Sequence, residues 1–306
     1  MSVLASLRRP LRELAIQNLQ NIIPTHPTTV ANITKVLRKI VSLRLNITNQ
    51  FYPNDPFERE DVFNFFPNLS TFWLEPTASR LEHLTIYSNL YFGFYPKCDI
   101  LDFHFPRLKT LALGKYTFVH DCQLDLILSH GSTLQELYLD NCPILYEVAV
   151  SKKEQTLLGV NGFKSHPKLE NTVGYASYGT RWHDYLRAFE QSLPQLQHFR
   201  LGNSVSCGEK DDQPFETETA IDIGFQNSYM VFCEGHPGGP YMNKRIYEDT
   251  DRDIDYEDDD GKLDASKEDI SALKSLMAKL GQPVQLDDRS RKYWRPFIWN
   301  HEYYAA

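Results

Sequence analysis

Apolar positions recur along the first two thirds of the chain in one hexapeptide pattern, L-x-x-L-x-L with Ile or Phe allowed. It occurs as LRELAI from Leu11, IVSLRL from Ile40, LEHLTI from Leu81, LKTLAL from Leu108, LQELYL from Leu134 and LQHFRL from Leu196. The intervals are 29, 41, 27, 26 and 62 residues. Within each copy the fourth and sixth positions alternate with more polar ones, which is the period of a strand buried on one face. Between copies the pattern lengthens to that of a helix. In DCQLDLILSHG, Asp121 is a candidate cap, Leu124, Ile127 and Leu128 form an i, i+3, i+4 stripe, and Gly131 ends the run.

Strand, crossover helix and return therefore fit within 26 residues, and repeats of roughly 20–29 residues with this signature are leucine-rich. The expected fold is an α/β leucine-rich-repeat horseshoe, irregular in its intervals, with parallel strands inside and helices outside. A seventh match, LSTFWL, starts at Leu69, 12 residues before Leu81. That interval is too short for a complete unit, so residues 62–74 are read as a helix and its exit inside one long repeat. The 62-residue interval holds an insertion over about residues 146–180, followed by the helix WHDYLRAFEQSL.

In such repeats the third residue after the last apolar position is often Asn or Cys, tucked under the turn. Asn89 and Cys142 stand there; Thr48 and Ser204 are small polar substitutes, and Leu19 and Tyr116 depart from the pattern. The repeat thus makes Cys142 a structural residue rather than a reactive one.

The repeat pattern stops near Cys207, which divides the chain into a repeat domain at 1–206 and a C-terminal cap or appendage at 207–306. ETAIDIGFQNSYMVFCEG reads as two strands about a turn at Gln226 and Asn227. SKEDISALKSLMAKLG begins with a near capping box at Ser266 and Asp269. It carries Ile270, Leu273, Leu276, Met277 and Leu280 as a stripe and stops at Gly281. This helix is the candidate cap for the exposed last strand.

Composition changes the picture little. The 306 residues are 42% hydrophobic and 24% charged, and the net charge is −8, which disfavours a general nucleic-acid-binding role. Much of the imbalance lies in an acidic loop at 248–260. Five scattered cysteines without a C-x-x-C pair indicate neither a disulfide framework nor a zinc ribbon. No apolar leader or 18-residue apolar run is present, so a cytoplasmic or nuclear setting is expected, with no membrane partner.

Candidate chemistry is sparse. Counted as a calcium loop from Asp249, the acidic run has Ile254 where Gly is needed and Asp260 where Glu is needed. Counted from Asp255, Gly261 falls one place late and position 12 is Ser266. His183 and Asp184, beside Trp182, lack a nucleophile elbow or an H-E-x-x-H partner. Trp182, Tyr185, Leu186 and Phe189 read instead as the inner face of the repeat helix. HPGGP lacks the lysine of a phosphate loop. RSRKYWRPFIWNHEYY alternates cations with rings, as single-strand binders do, but in an acidic chain it reads as a packing segment. No catalytic, cofactor-binding or metal-binding residue is assigned.

What remains is the strand face opposite the core. Its expected partner-binding residues are His83, Tyr87, Glu136, Tyr138, Asp140, His198 and Arg200, since aromatic and arginine side chains dominate protein interfaces.

The phrases FPRLKTLALGKYTFVHDCQLDLILSHGSTLQELYLDNCPI, ASRLEHLTIYSNLYFGFYPKCDI and TRWHDYLRAFEQSLPQLQHFRLG resemble fungal F-box proteins with leucine-rich repeats. The resemblance implies a non-enzymatic substrate-recognition subunit of a cullin–RING ubiquitin ligase, with a target protein held by the repeats. In that family an N-terminal F-box grips a Skp-type adaptor. This chain opens with a repeat strand and carries no L-P-x-E-[IL] F-box helix ahead of it, so adaptor binding is expected only where an F-box lies upstream. A stand-alone scaffold or inhibitor without ligase coupling is the alternative, and a hydrolase or metalloenzyme at His183–Asp184 ranks third.

Overall fold

The computed structural model describes residues 2–48, 60–98, 100, 104–151, 155, 164–165, 173–204, 221–234, 241–242, 263–284 and 286. The acidic loop, the HPGGP segment, Cys207 and the basic-aromatic tail lie outside them.

Each hexapeptide opens a strand two residues after its first apolar position. These are β1 (Glu13–Gln20), β2 (Ser42–Thr48), β3 (His83–Phe92), β4 (Thr110–Tyr116) and β5 (Glu136–Asp140). Three more strands follow, the long β6 (Ile144–Ser151) and the shorter β7 (Lys164–Ser165) and β8 (Val173–Ser177), before the sixth copy opens β9 (His198–Ser204). The chain then forms β10 (Ile221–Ile223), β11 (Tyr229–Cys233) and β12 (Tyr241–Met242).

Two sheets result, ordered β1-β2-β3-β4-β5-β9-β10 and β12-β11-β6-β8-β7. The first is parallel throughout except for antiparallel β10. Its six repeat strands share one register, so Glu13, Ser42, His83, Thr110, Glu136 and His198 form one row. The fourth template position forms the next: Leu14, Leu43, Leu84, Leu111, Leu137 and Phe199, all buried. A hydrophobic residue every second position, repeated strand after strand, leaves only this register able to bury them all on one face.

Helices cover that face. They are α1 (Ser2–Ala5), α2 (Pro27–Leu37), α3 (Glu60–Leu69), α4 (Asp121–Ser129), α5 (Trp182–Ser192) and α6 (Lys267–Lys279). After α3 the chain widens into one π turn at Ser70–Leu74 and then tightens into a 3₁₀ turn at Glu75–Thr77, the helix and exit expected there. Trp182, Tyr185, Leu186 and Phe189 are fully buried on the inner side of α5.

Local expectations changed in four places. Asp121 does not cap α4: the cap is His120, whose N–H donates to the Gln123 side chain at 3.0 Å. The Asp121 carboxylate instead accepts from Tyr178 Oη and Thr180 Oγ1 at 2.7 and 2.9 Å, tying α4 to the segment before α5. Asn89 is exposed rather than tucked under a turn, because β3 runs on to Phe92 and shifts register there.

The two strands about Asn227 (φ 52°) are not a hairpin. β10 joins the first sheet while β11 lies parallel to β6 in the second, so the turn passes the chain from one sheet to the other. The last repeat strand is accordingly covered by β10; α6 packs on α5 instead, where Ser275 Oγ donates to Glu190 Oε1 at 3.0 Å.

β6, from the start of the insertion, is buried on both sides. Ile144 and Tyr146 join the main core, and Leu145, Val148 and Val150 join a second core with Phe94, Tyr95, Met230 and Phe232.

Candidate functional site

The polar face of the repeat sheet is graded along the strands. At the strand starts Ser42, His83, Glu136 and His198 are half-buried; in the middle Arg44 and Arg200 are half-buried while Thr85, Ala112 and Tyr138 are buried; at the far end Asn46, Tyr87, Gly114, Asp140 and Gly202 are all buried. The proposed contact set therefore divides. His83, Glu136, His198 and Arg200 stay within reach of a partner, and Tyr87, Tyr138 and Asp140 are interior.

The reason lies in contacts that the repeat pattern does not encode. Tyr87 lies flat over Gly114 on the neighbouring strand, where any Cβ would fall 2.2 Å from the ring. Tyr87, Ala112 and Tyr138 form a small apolar cluster with Ile221 of β10. Asp140 accepts from the Ser204 backbone N–H at 2.8 Å. Burial pushes its carboxyl above the usual carboxylate range, against the hydrogen bonds from Ser204 and Tyr87 and the charge of Lys115.

The accessible rim is a short polar network. His83 Nε2 pairs with Thr85 Oγ1 at 3.0 Å. Glu136 Oε2 accepts from Thr110 Oγ1 at 3.1 Å and from Tyr138 Oη at 3.3 Å. The Tyr138 and His198 rings lie 5.4 Å apart.

Gln282, just beyond α6, sets the state of His198. Its Oε1 accepts from Phe199 N–H at 2.8 Å, which turns its amide nitrogen toward His198 Nδ1 at 3.0 Å. Nδ1 is thus the acceptor and the neutral ring carries its proton on Nε2. Burial lowers the His198 pKa, Arg200 lowers it further, and Glu136 opposes both. His198 Nε2 and Arg200 Nε are buried donors with no hydrogen-bond acceptor among the described residues. Gln282 escaped sequence reasoning, because nothing in its neighbourhood distinguishes it from any polar residue after a helix.

Cys142 lies beneath this strand. It is 3% exposed, its thiol pointing at the carbonyls of Leu113 and Asp140 at 3.3 and 3.4 Å, and burial pushes its pKa far up. A thiol held neutral between two carbonyls is a filler, as the repeat spacing predicts. The preceding Asn141 turns the chain at φ 51°, as Asn18 and Lys115 do at the same place in their repeats. That shared turn was legible in hindsight from the Asn at two of the three positions.

His183 also found a partner that the sequence concealed. Its Nδ1 and its backbone N–H both meet Asp269 Oδ1 at 2.8 Å, while Asp184 Oδ1 stands 3.6 Å from Nε2. Asp269 also closes the capping box of α6 from its third helical position, accepting from the N–H of the N-cap Ser266 at 2.8 Å, and it takes the Tyr229 hydroxyl at 3.0 Å. One carboxylate thus ties α5, α6 and β11. Among the described residues no group of three or more His, Cys, Asp or Glu is placed to hold a metal ion, and no helix is long and apolar enough to cross a membrane.

Compared with known proteins, the chain is 36% identical over 75 residues to an F-box/LRR-repeat protein of Arabidopsis thaliana, a match that spans 24% of this chain and 20% of that protein. The similarity is distant and partial, and it covers only a small share of either protein. No family model matches the chain, and no solved structure matches it.

Proposed function

We propose that the chain is a leucine-rich-repeat horseshoe that recognises another protein, and that it serves, without catalytic activity of its own, as the substrate-binding part of an F-box subunit of a cullin–RING ubiquitin ligase. The observation that carries this reading is the rim of the repeat sheet. Six strands in one register offer a different side chain at each step, and His83, Glu136, His198 and Arg200 remain half-buried rather than enclosed. Histidine and arginine side chains held in place on a rigid sheet present a partner with contacts that lose little freedom on binding. The partial likeness to a plant F-box/LRR-repeat protein supports the same class. The His183–Asp269 pair reads as a clasp, since every described bond of Asp269 joins elements of the fold.

The test is site-specific photo-crosslinking. A photoreactive residue at His83 or Arg200 should capture one common protein, whereas the same group at exposed Arg187, on the outer helix face, should not. Capture from Arg187 alone would reject the rim as the recognition surface. A parallel pull-down for a Skp-type adaptor separates ligase coupling from a scaffold or inhibitor role.

A further inference from the structure

The two ends of the repeat sheet are unlike. At one end β10 covers the outer edge of β9; at the other, β1 is the last strand and nothing among the described residues pairs with its outer side. Ser42 N–H donates to Arg12 C=O at 3.1 Å, so Arg12 and its alternates face β2. In a parallel pair a residue sends both backbone groups to the same side, and the intervening Glu13 and Ala15 therefore direct theirs outward. Both are exposed. An open strand edge of this kind is a template for one more strand.

The surroundings specify the strand that fits. Residues 1–48 hold Arg8, Arg9, Arg12, Lys35, Arg38, Lys39 and Arg44 against Glu13 alone, a net of +6 in a chain whose total is −8. All of these cations but Arg44 are exposed, and among the described residues none of those six is in an ion pair. They gather at one end of the edge: Arg8, Arg9 and Arg12 lead into β1, and Arg38 and Lys39 lead into β2 beside it. Lys35 and Lys39 also flank a shallow groove floored by Leu4, Leu7, Leu11 and Val36.

The large apolar side chains most exposed among the described residues, Val3, Leu7 and Ile22 at 70, 44 and 56%, all lie before or just after β1 and bracket it.

We propose that the outer edge of β1 is a docking strand for an extended acidic segment of a partner protein, which adds to the sheet by backbone pairing while its carboxylates meet the cations around Arg12 and its apolar side chains meet Leu7 and Ile22. A second copy of this edge would bring like charges together, and a polyanion surface would meet the acidic remainder of the chain; an acidic strand meets neither obstacle. This surface is independent of the rim formed by His198 and Arg200.

The test uses the full chain and a fluorescein-labelled peptide of alternating Val and Glu, seven residues long in this design, followed by anisotropy. Saturable binding is expected that weakens severalfold between low and high salt. The Val–Lys counterpart should not bind. A Val–Glu peptide N-methylated at alternate amides keeps the side chains but cannot pair, and should lose about tenfold or more in affinity. Arg38→Glu with Lys39→Glu should lose a similar factor, and Ala15→Pro, which removes an outward N–H without breaking the β2 ladder, should match the methylated peptide. Equal binding of the methylated peptide, or binding of the Val–Lys peptide, would overturn the proposal. So would tighter binding of single-stranded RNA or anionic vesicles by the same cations, unaffected by Ala15→Pro.

Discussion

His183 and Asp269 stand 86 positions apart in the chain and 2.8 Å apart in space, joined twice, through the imidazole Nδ1 and through the backbone N–H. Burial alone raises the Asp269 pKa. The hydrogen bonds from Ser266, His183 and Tyr229 outweigh it and hold the carboxyl below its ordinary value of 3.8. A carboxyl depressed in the folded state contributes stability in full above its unfolded value, and that contribution is lost as the pH falls through the folded one. Asp269→Asn should therefore cost about 1–3 kcal/mol near neutral pH and flatten the acid limb of the stability profile, as measured by urea unfolding between neutral pH and pH values below 3.8. An unchanged acid limb would mean that the pair carries no linked charge.

The glycines on the polar face make a second expectation. At Gly114 a methyl group would enter the Tyr87 ring, and at Gly202 it would fall 1.6 Å from the Asp222 carbonyl oxygen. Gly114→Ala should cost about 1–3 kcal/mol and expose Tyr87. Gly202→Ala should release β10, seen as faster hydrogen exchange at Ile221 to Ile223 with the repeat strands still protected.

The thiols should separate by reactivity. Cys122 is exposed, whereas Cys98 and Cys142 are 1% and 3% exposed. Maleimide should label Cys122 in the native protein and reach Cys98 and Cys142 only on unfolding. Cys142→Ala should cost about 1–2 kcal/mol. Rapid native labelling of Cys142 would contradict its place as a filler.

His198 offers a local titration. Because burial and Arg200 lower its pKa, it should titrate below 6.5 by NMR. Arg200→Ala should move the midpoint up, and Glu136→Gln should move it down. The sign for stability is the reverse of a salt-bridged histidine: a depressed folded pKa makes folding less favourable as the pH drops below the unfolded value.

Arg200→Gln keeps the polar side chain without its charge and should weaken capture of a rim-bound partner by about tenfold or more, at a stability cost of about 1 kcal/mol for a half-buried position. Tyr138→Ala is the contrasting case. With 4% exposure its truncation should lower stability first, so loss of binding in that variant would not report on contact.

By itself the sequence determined what depends on period alone. The fourth and sixth positions of six hexapeptides specify strands, their common spacing from the strand start specifies the register, and the stripes of α5 and α6 specify which helix faces turn inward. These are local, and each is repeated, so chance is a poor rival. The tertiary structure decided what depends on meetings between distant residues. ILYEVAV beside SYMVFC gives no hint that β6 and β11 lie parallel across more than 80 positions. Nor could alternation reveal that Tyr87, Tyr138 and Asp140 are buried, since a polar face looks the same to a pattern whether or not Ile221 and Ser204 reach over it. Pattern reports which side of a strand a residue takes; only packing decides whether that side meets water.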